Sequence, residues 1–132
     1  MAGIGRRAAA GIILGAMAWA GLPAAAAGPA LPAGITFASI DGGSLNMDDW
    51  RGRPVLVVNT ASLCGFTPQY DDLQALHERY GPRGLVVLAV PSDDFRQELD
   101  DASAVKDFCE VNFGLTLPMT DITPVKGRGA HP

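Results

Sequence analysis

Cys64 lies in the stretch Asn59-Thr60-Ala61-Ser62-Leu63-Cys64-Gly65-Phe66-Thr67-Pro68-Gln69-Tyr70, directly after the apolar run Pro54-Val55-Leu56-Val57-Val58. A thiol between a strand end and a helix start is well placed for chemistry. Thr67 has the residue type to cap the following helix, and Pro68 suits a first turn, where a missing N–H is harmless. The free N–H groups and partial positive charge of a helix N-terminus favour thiolate over thiol. A thiolate so placed is a nucleophile. The bland alternative is an inert, buried small hydrophobe.

The remaining chemistry-bearing residues are sparse. Cys109 is the second thiol, 45 positions on. It shares a helical face with Val105 and Phe108, so core packing stands beside a redox role. The two cysteines have no metal-ligand spacing, which argues against zinc. His77 falls on an apolar stripe with Leu73, Leu76 and Tyr80 and reads as a packed helix residue rather than a base. Asn59 could brace the loop before Cys64 or simply end a strand. Asp93, Asp94, Asp100 and Asp101 read as a solvated acidic loop that would repel an anionic thiol.

The elements that must position Cys64 follow from pattern. Ile35 to Ile40 alternates, and Asp41-Gly42-Gly43 turns the chain towards Ser44-Leu45-Asn46-Met47, a small hairpin. Pro54 to Asn59 is a continuous apolar run, expected to be a strand buried on both faces. Pro68 to Tyr80 is a helix ended by Gly81-Pro82. Leu85 to Val90 is a second buried strand, stopped by Pro91. Ala102 to Val111 is a second helix, closed by Gly114, and Leu117 to Ile122 is expected as a third strand. Strand and helix alternating at this spacing give a parallel crossover unit, an α/β fold. Trp50 is expected to cover a core edge.

The chain has 132 residues, room for one domain. Its start is not domain. Arg6 and Arg7 precede the apolar run Ala8 to Leu22, and Ala24-Ala25-Ala26-Ala27 follows, the layout of a secretory signal peptide over 1–27. The run is short of the roughly 20 apolar residues a membrane span needs. Cleavage near Gly28 makes the product periplasmic or extracellular, without stable membrane insertion; an uncleaved leader would anchor it. Residues 28–34 read as a Pro/Gly/Ala linker and 35–132 as the domain. Without Arg6 and Arg7, eight basic residues face fourteen acidic ones, a net charge of −6. An acidic chain without a basic stripe argues against nucleic-acid binding.

The stretch around Cys64 resembles the active-site signature of the glutathione peroxidase family, in its cysteine form. The likeness continues through Arg83-Gly84-Leu85-Val86-Val87-Leu88-Ala89-Val90-Pro91-Ser92, Gln97-Glu98, Lys106-Asp107-Phe108-Cys109, Asn112 to Met119, and Ala130-His131-Pro132. It spans Ile35 to Pro132 with its motifs in the family's order. The resemblance implies a thioredoxin-like fold with a central mixed sheet. It implies a thiol peroxidase that reduces hydrogen peroxide or organic hydroperoxides, in response to oxidative stress. Cys64 would be the nucleophile and Gln97 its assistant, with glutathione or a thioredoxin-like protein as reductant and no metal, haem or flavin cofactor. The segment from Pro91 to Gln97 is slightly shorter than the family's common pattern, with Ser92-Asp93-Asp94 where Cys-Asn-Gln is frequent. Many members resolve the sulfenic acid with a second cysteine, one position beyond Cys109, where Glu110 stands here. Cys109 is thus either a possible resolving residue or a core residue. The family's Trp-Asn pair, a helix, two further strands and a terminal helix follow the His-Pro that matches His131 and Pro132. A piece of a longer protein, or a truncated product with an exposed central strand, is therefore expected. The competing classes are another thioredoxin-fold thiol oxidoreductase, against which the lack of Cys-x-x-Cys counts, and an inactive truncated fragment that binds a partner through its open edge.

Overall fold

The computed structural model describes residues 32–132, so the leader and most of the linker lie outside the described residues. The hairpin forms as its turn residues require: β1 (Thr36–Ala38) pairs antiparallel with β2 (Ser44–Asn46), with Phe37 opposite Leu45. Gly42 and Gly43 both have positive φ, 87° and 76°, the conformation for which glycine carries no Cβ penalty. A short 3-10 turn at Met47–Trp50 follows, with Asn46 accepting from the Asp48 N–H.

β3 (Val55–Thr60), α1 (Gln69–Tyr80) and β4 (Val86–Pro91) make the first crossover, with β3 and β4 parallel from Val55↔Val86 to Thr60↔Pro91. Asp71 and Asp72 sit in the first turn of α1 and Arg79 in its last, both matching the helix dipole. α2 (Ala102–Phe113) starts where the Asp101 carboxylate accepts from the Ala104 N–H at 2.9 Å. It runs two residues past the expected end and closes on Gly114, at φ 59°. There the N–H groups of Gly114 and Leu115 donate back to the Glu110 and Cys109 carbonyls, an αL closure that only a residue tolerant of positive φ completes cheaply.

β4 is the axis of the core, and all six of its residues are buried. Its alternation divides the apolar side chains. Val87 and Ala89 meet Tyr70 of α1 and Val105 and Cys109 of α2, while Leu88 and Val90 meet Phe37 and Met47 on the other face. Burying a side chain such as Leu88 contributes about 1.5–3 kcal/mol. Trp50 packs against this second cluster, as its sequence position implied.

Two expectations need correction. The β3 run is not buried on both faces: Leu56 and Val57 are 37% and 46% exposed. Among the described residues β3 pairs only with β4, so one edge and part of its faces lack cover. The stretch 117–122 is not a regular strand. Met119 bridges Ala89 in parallel and Thr120 bridges Ser39 antiparallel, so the segment ties β4 to the hairpin. Pro118 has no N–H to extend the ladder. Beyond it, Asp121 turns the chain locally, its carboxylate accepting from the Ile122 N–H at 2.6 Å and its carbonyl from the Thr123 hydroxyl. Such local bonds compete with a ladder. No helix of the described residues is long and apolar enough to cross a membrane.

Candidate active site

The loop between β3 and α1 presents Cys64 half-buried, with a free thiol. The Phe66 N–H is directed at its Sγ, 3.5 Å away. Leu63 and Phe66 beside it are 61% and 73% exposed and form an apolar rim around the half-buried cysteine. Thr67 does not cap α1. The cap position falls on Pro68, and the Thr67 hydroxyl instead turns back under the loop, towards the carbonyls of Ala61, Ser62 and Cys64. Its backbone N–H donates to the Cys64 carbonyl at 3.1 Å. Thr67 is thus a brace for the cysteine turn.

The second wall of the site is the loop between β4 and α2. Leu63 N–H donates to the Gln97 carbonyl at 2.8 Å, and Ser62 N–H to the Glu98 carboxylate at 2.9 Å. Gln97 therefore meets the cysteine loop through its backbone, while its side chain is exposed. Arg96 just before it holds φ 56°, a left-handed conformation that strains a non-glycine residue by roughly 1–2 kcal/mol. The acids of this loop are largely engaged. Asp94 accepts from the N–H groups of Val125 and Lys126 at 2.6 and 2.9 Å, which hold its carboxyl below the usual range. Asp93 accepts from the Glu98 N–H, and Asp101 caps α2. They are mostly fold clamps rather than a free repulsive patch.

Asn59 sits exposed within β3 opposite Val90, and the ladder continues through Thr60. It neither ends the strand nor, among the described residues, ties its side chain to the loop by a hydrogen bond. Cys109 is fully buried among Val87, Ala89 and Val105. Burial pushes its thiol up to about 11, with the Glu98 and Glu110 carboxylates adding to the rise and the Tyr70 hydroxyl opposing it. Glu110, at the position matching the family's resolver, is exposed. His131 is structural: it stacks on Phe37 with centroids 3.8 Å apart, and its Nε2 lies 3.0 Å from the Thr36 carbonyl oxygen. His77 lies on the far half of α1, partly buried. Among the described residues no cluster of His, Cys, Asp or Glu could hold a metal ion.

Sequence reasoning missed Glu98, which is only 5% exposed. One oxygen accepts from both Ser62 and Leu99 N–H groups at 2.9 Å, and the other is buried without a partner. The Ser62 hydroxyl is likewise buried without a partner. Each such group costs about 1–3 kcal/mol, so native proteins keep few of them. Burial, first, and then the neighbouring Cys109 thiol raise the Tyr70 hydroxyl above its ordinary pKa. A single acid between Gln97 and Leu99, near two further Asp residues, carries no periodicity to mark it as buried.

The chain is 44% identical over 100 residues to the hydroperoxy fatty acid reductase gpx1 of Synechocystis sp., covering 75% of this chain and 59% of that protein. It is 44% identical over 100 residues to the glutathione peroxidase-like peroxiredoxin GPX5 of Chlamydomonas reinhardtii, covering 75% and 62%. The chain thus spans about three fifths of the length of these curated relatives. Among solved structures, T. cruzi GPX1 superposes with a TM-score of 0.54 at 28% identity, over 74% of this chain and 57% of that one. The fold is thioredoxin-like, as the resemblance implied. Residues 34–132 match the family model described as glutathione peroxidase, and the chain belongs to the glutathione peroxidase family.

Proposed function

We propose that this chain carries the peroxide-reducing cysteine of a thiol peroxidase. The observation that carries the reading is the presentation of Cys64: a free, half-buried thiol on a braced turn before α1, receiving the Phe66 N–H. In the reaction, the Cys64 thiolate attacks the distal oxygen of a hydroperoxide. The S–O bond forms as the O–O bond breaks, the sulfur is oxidised to sulfenic acid, and the departing alkoxide takes a proton to leave as alcohol or water. A thiol then attacks the sulfenic sulfur, releasing water and forming a disulfide, and a second thiol reduces that disulfide back to Cys64. The relatives' names, a hydroperoxy fatty acid reductase and a glutathione peroxidase-like peroxiredoxin, support hydroperoxides as the substrate class. Gln97 assists from the rim of the site, where its exposed side chain has freedom to turn towards a bound peroxide.

The reducing thiol is external, either glutathione or a thioredoxin-like protein. The burial of Cys109 and its raised thiol pKa make it a poor partner for the sulfenic acid unless α2 unwinds. The leader layout over 1–27 supports export, so the reaction belongs outside the cytoplasm as part of a defence against oxidants. The test is a thiol titration after one equivalent of hydrogen peroxide, with Cys64→Ser and Cys109→Ser controls. Loss of one thiol, abolished by Cys64→Ser and unaffected by Cys109→Ser, is expected. No loss beyond that of free cysteine would refute the peroxidase reading, and paired loss of both thiols would make Cys109 the resolver.

A further inference from the structure

We propose that Glu98 is a positioning residue for Cys64, acting through the Ser62 backbone. Three observations converge on it. Its carboxylate is almost fully buried, which is rare for an acid without a cationic partner, and no Lys or Arg pairs with it among the described ion pairs. One oxygen collects two N–H groups, from Ser62 in the cysteine loop and from Leu99 on its own loop, both at 2.9 Å. The adjacent Leu63 N–H to Gln97 carbonyl bond, 2.8 Å, repeats the docking one residue closer to Cys64. Ser62 and Leu63 are the two residues before Cys64, so these bonds fix where the sulfur and the Phe66 N–H stand. Glu98 touches no reacting atom; it sets the geometry of the residue that does.

The device depends on reach and on an acceptor, not on negative charge. Glutamine has the same length and keeps an oxygen that can accept from both N–H groups. Aspartate keeps the charge but is one methylene short of Ser62. Leucine fills the space and leaves the Ser62 N–H without an acceptor.

The inference rests on the peroxidase reading for its kinetic arm, so two independent readouts are needed. The first is the rate of Cys64 oxidation by hydrogen peroxide, followed by sulfenic-acid labelling of the full chain and its Glu98→Gln, Glu98→Asp and Glu98→Leu variants. Glu98→Asp and Glu98→Leu should slow oxidation at least about tenfold, since sub-ångström misplacement of a reacting group is enough for such losses. Glu98→Gln should recover most of the wild-type rate. The second is amide hydrogen exchange at Ser62, protected in wild type and Glu98→Gln and fast in the other two. If Glu98→Leu does not fold, the Gln and Asp pair still decides between reach and charge. Wild-type rates and Ser62 protection in a folded Glu98→Asp would overturn the proposal, as would a Glu98→Gln variant as impaired as Glu98→Asp. A wild-type chain no faster than free cysteine would sink the peroxidase reading alone, leaving exchange at Ser62 to decide the positioning claim.

Discussion

Replacing Cys109 by serine separates a resolving thiol from a packing one. Its side chain is fully buried in the cluster that joins α1, β4 and α2, which also holds Val87, Ala89, Val105 and Met119. Serine there exchanges a weakly polar thiol for a hydroxyl in an apolar setting. The other polar side chain of that cluster is Tyr70, whose hydroxyl lies beside the Cys109 thiol and offers partial compensation. Burying an incompletely bonded hydroxyl costs about 1–3 kcal/mol. In a domain of this size each kcal/mol lowers the Tm by about 4–8 °C. Cys109→Ser should therefore melt clearly below wild type while its Cys64 is oxidised by peroxide at the wild-type rate. The assay is a thermal melt by circular dichroism beside intact-mass analysis after one equivalent of peroxide. The reasoning fails if Cys109→Ser melts as wild type does and the wild-type chain loses two mass units to an internal disulfide that the variant cannot form.

Three further outcomes follow from the same geometry. Asp94→Ala removes the acceptor of two backbone N–H groups and should lower the Tm at neutral pH; because its folded pKa lies below the ordinary 3.8, the lost stability is the part present above that value and shed as pH falls through the folded pKa, so the variant's acid unfolding should be shallower there. On the alkaline side the sign reverses: the Cys109 thiol stays protonated to about 11 when folded against an ordinary 9.0, so the unfolded chain loses its proton first and stability should fall as pH rises between them, a dependence that Cys109→Ala should reduce in chemical denaturation series. Gly114→Ala meets no atom within 4 Å, so its penalty should be the left-handed backbone alone, about 1–2 kcal/mol in denaturant titrations; a neutral variant would show that α2 closes some other way.

Much of the architecture is legible because period and punctuation agree in this chain. Asp41-Gly42-Gly43 forms the turn it signals, Gly114 ends α2, and the two apolar runs pair in parallel across α1. What escapes the sequence is cover and contact. An apolar run shows that β3 requires burial, not which residues supply it, so the exposure of Leu56 and Val57 could not be read from Pro54 to Asn59. Thr67 has the composition of a cap, yet three carbonyls of the preceding turn compete for its hydroxyl and displace it from that task. Gln74 belongs to the same class: a polar residue on α1, buried because its amide exchanges hydrogen bonds with Thr116, 42 positions away. Cys64 was visible from its place between strand and helix, whereas Glu98 became visible only when the loop it holds was folded against it.

The most direct test of the account is the second-order rate of Cys64 oxidation by hydrogen peroxide, set against free cysteine at the same pH. The proposed role of Cys64 predicts a rate on the order of a hundredfold or more above the free amino acid, the scale that a proton donor brought to the departing oxygen supplies. The rate should vanish in Cys64→Ser and persist in Cys109→Ser. A rate equal to that of free cysteine, in a chain that still melts cooperatively, would contradict the claim that Cys64 is a peroxide-reducing nucleophile.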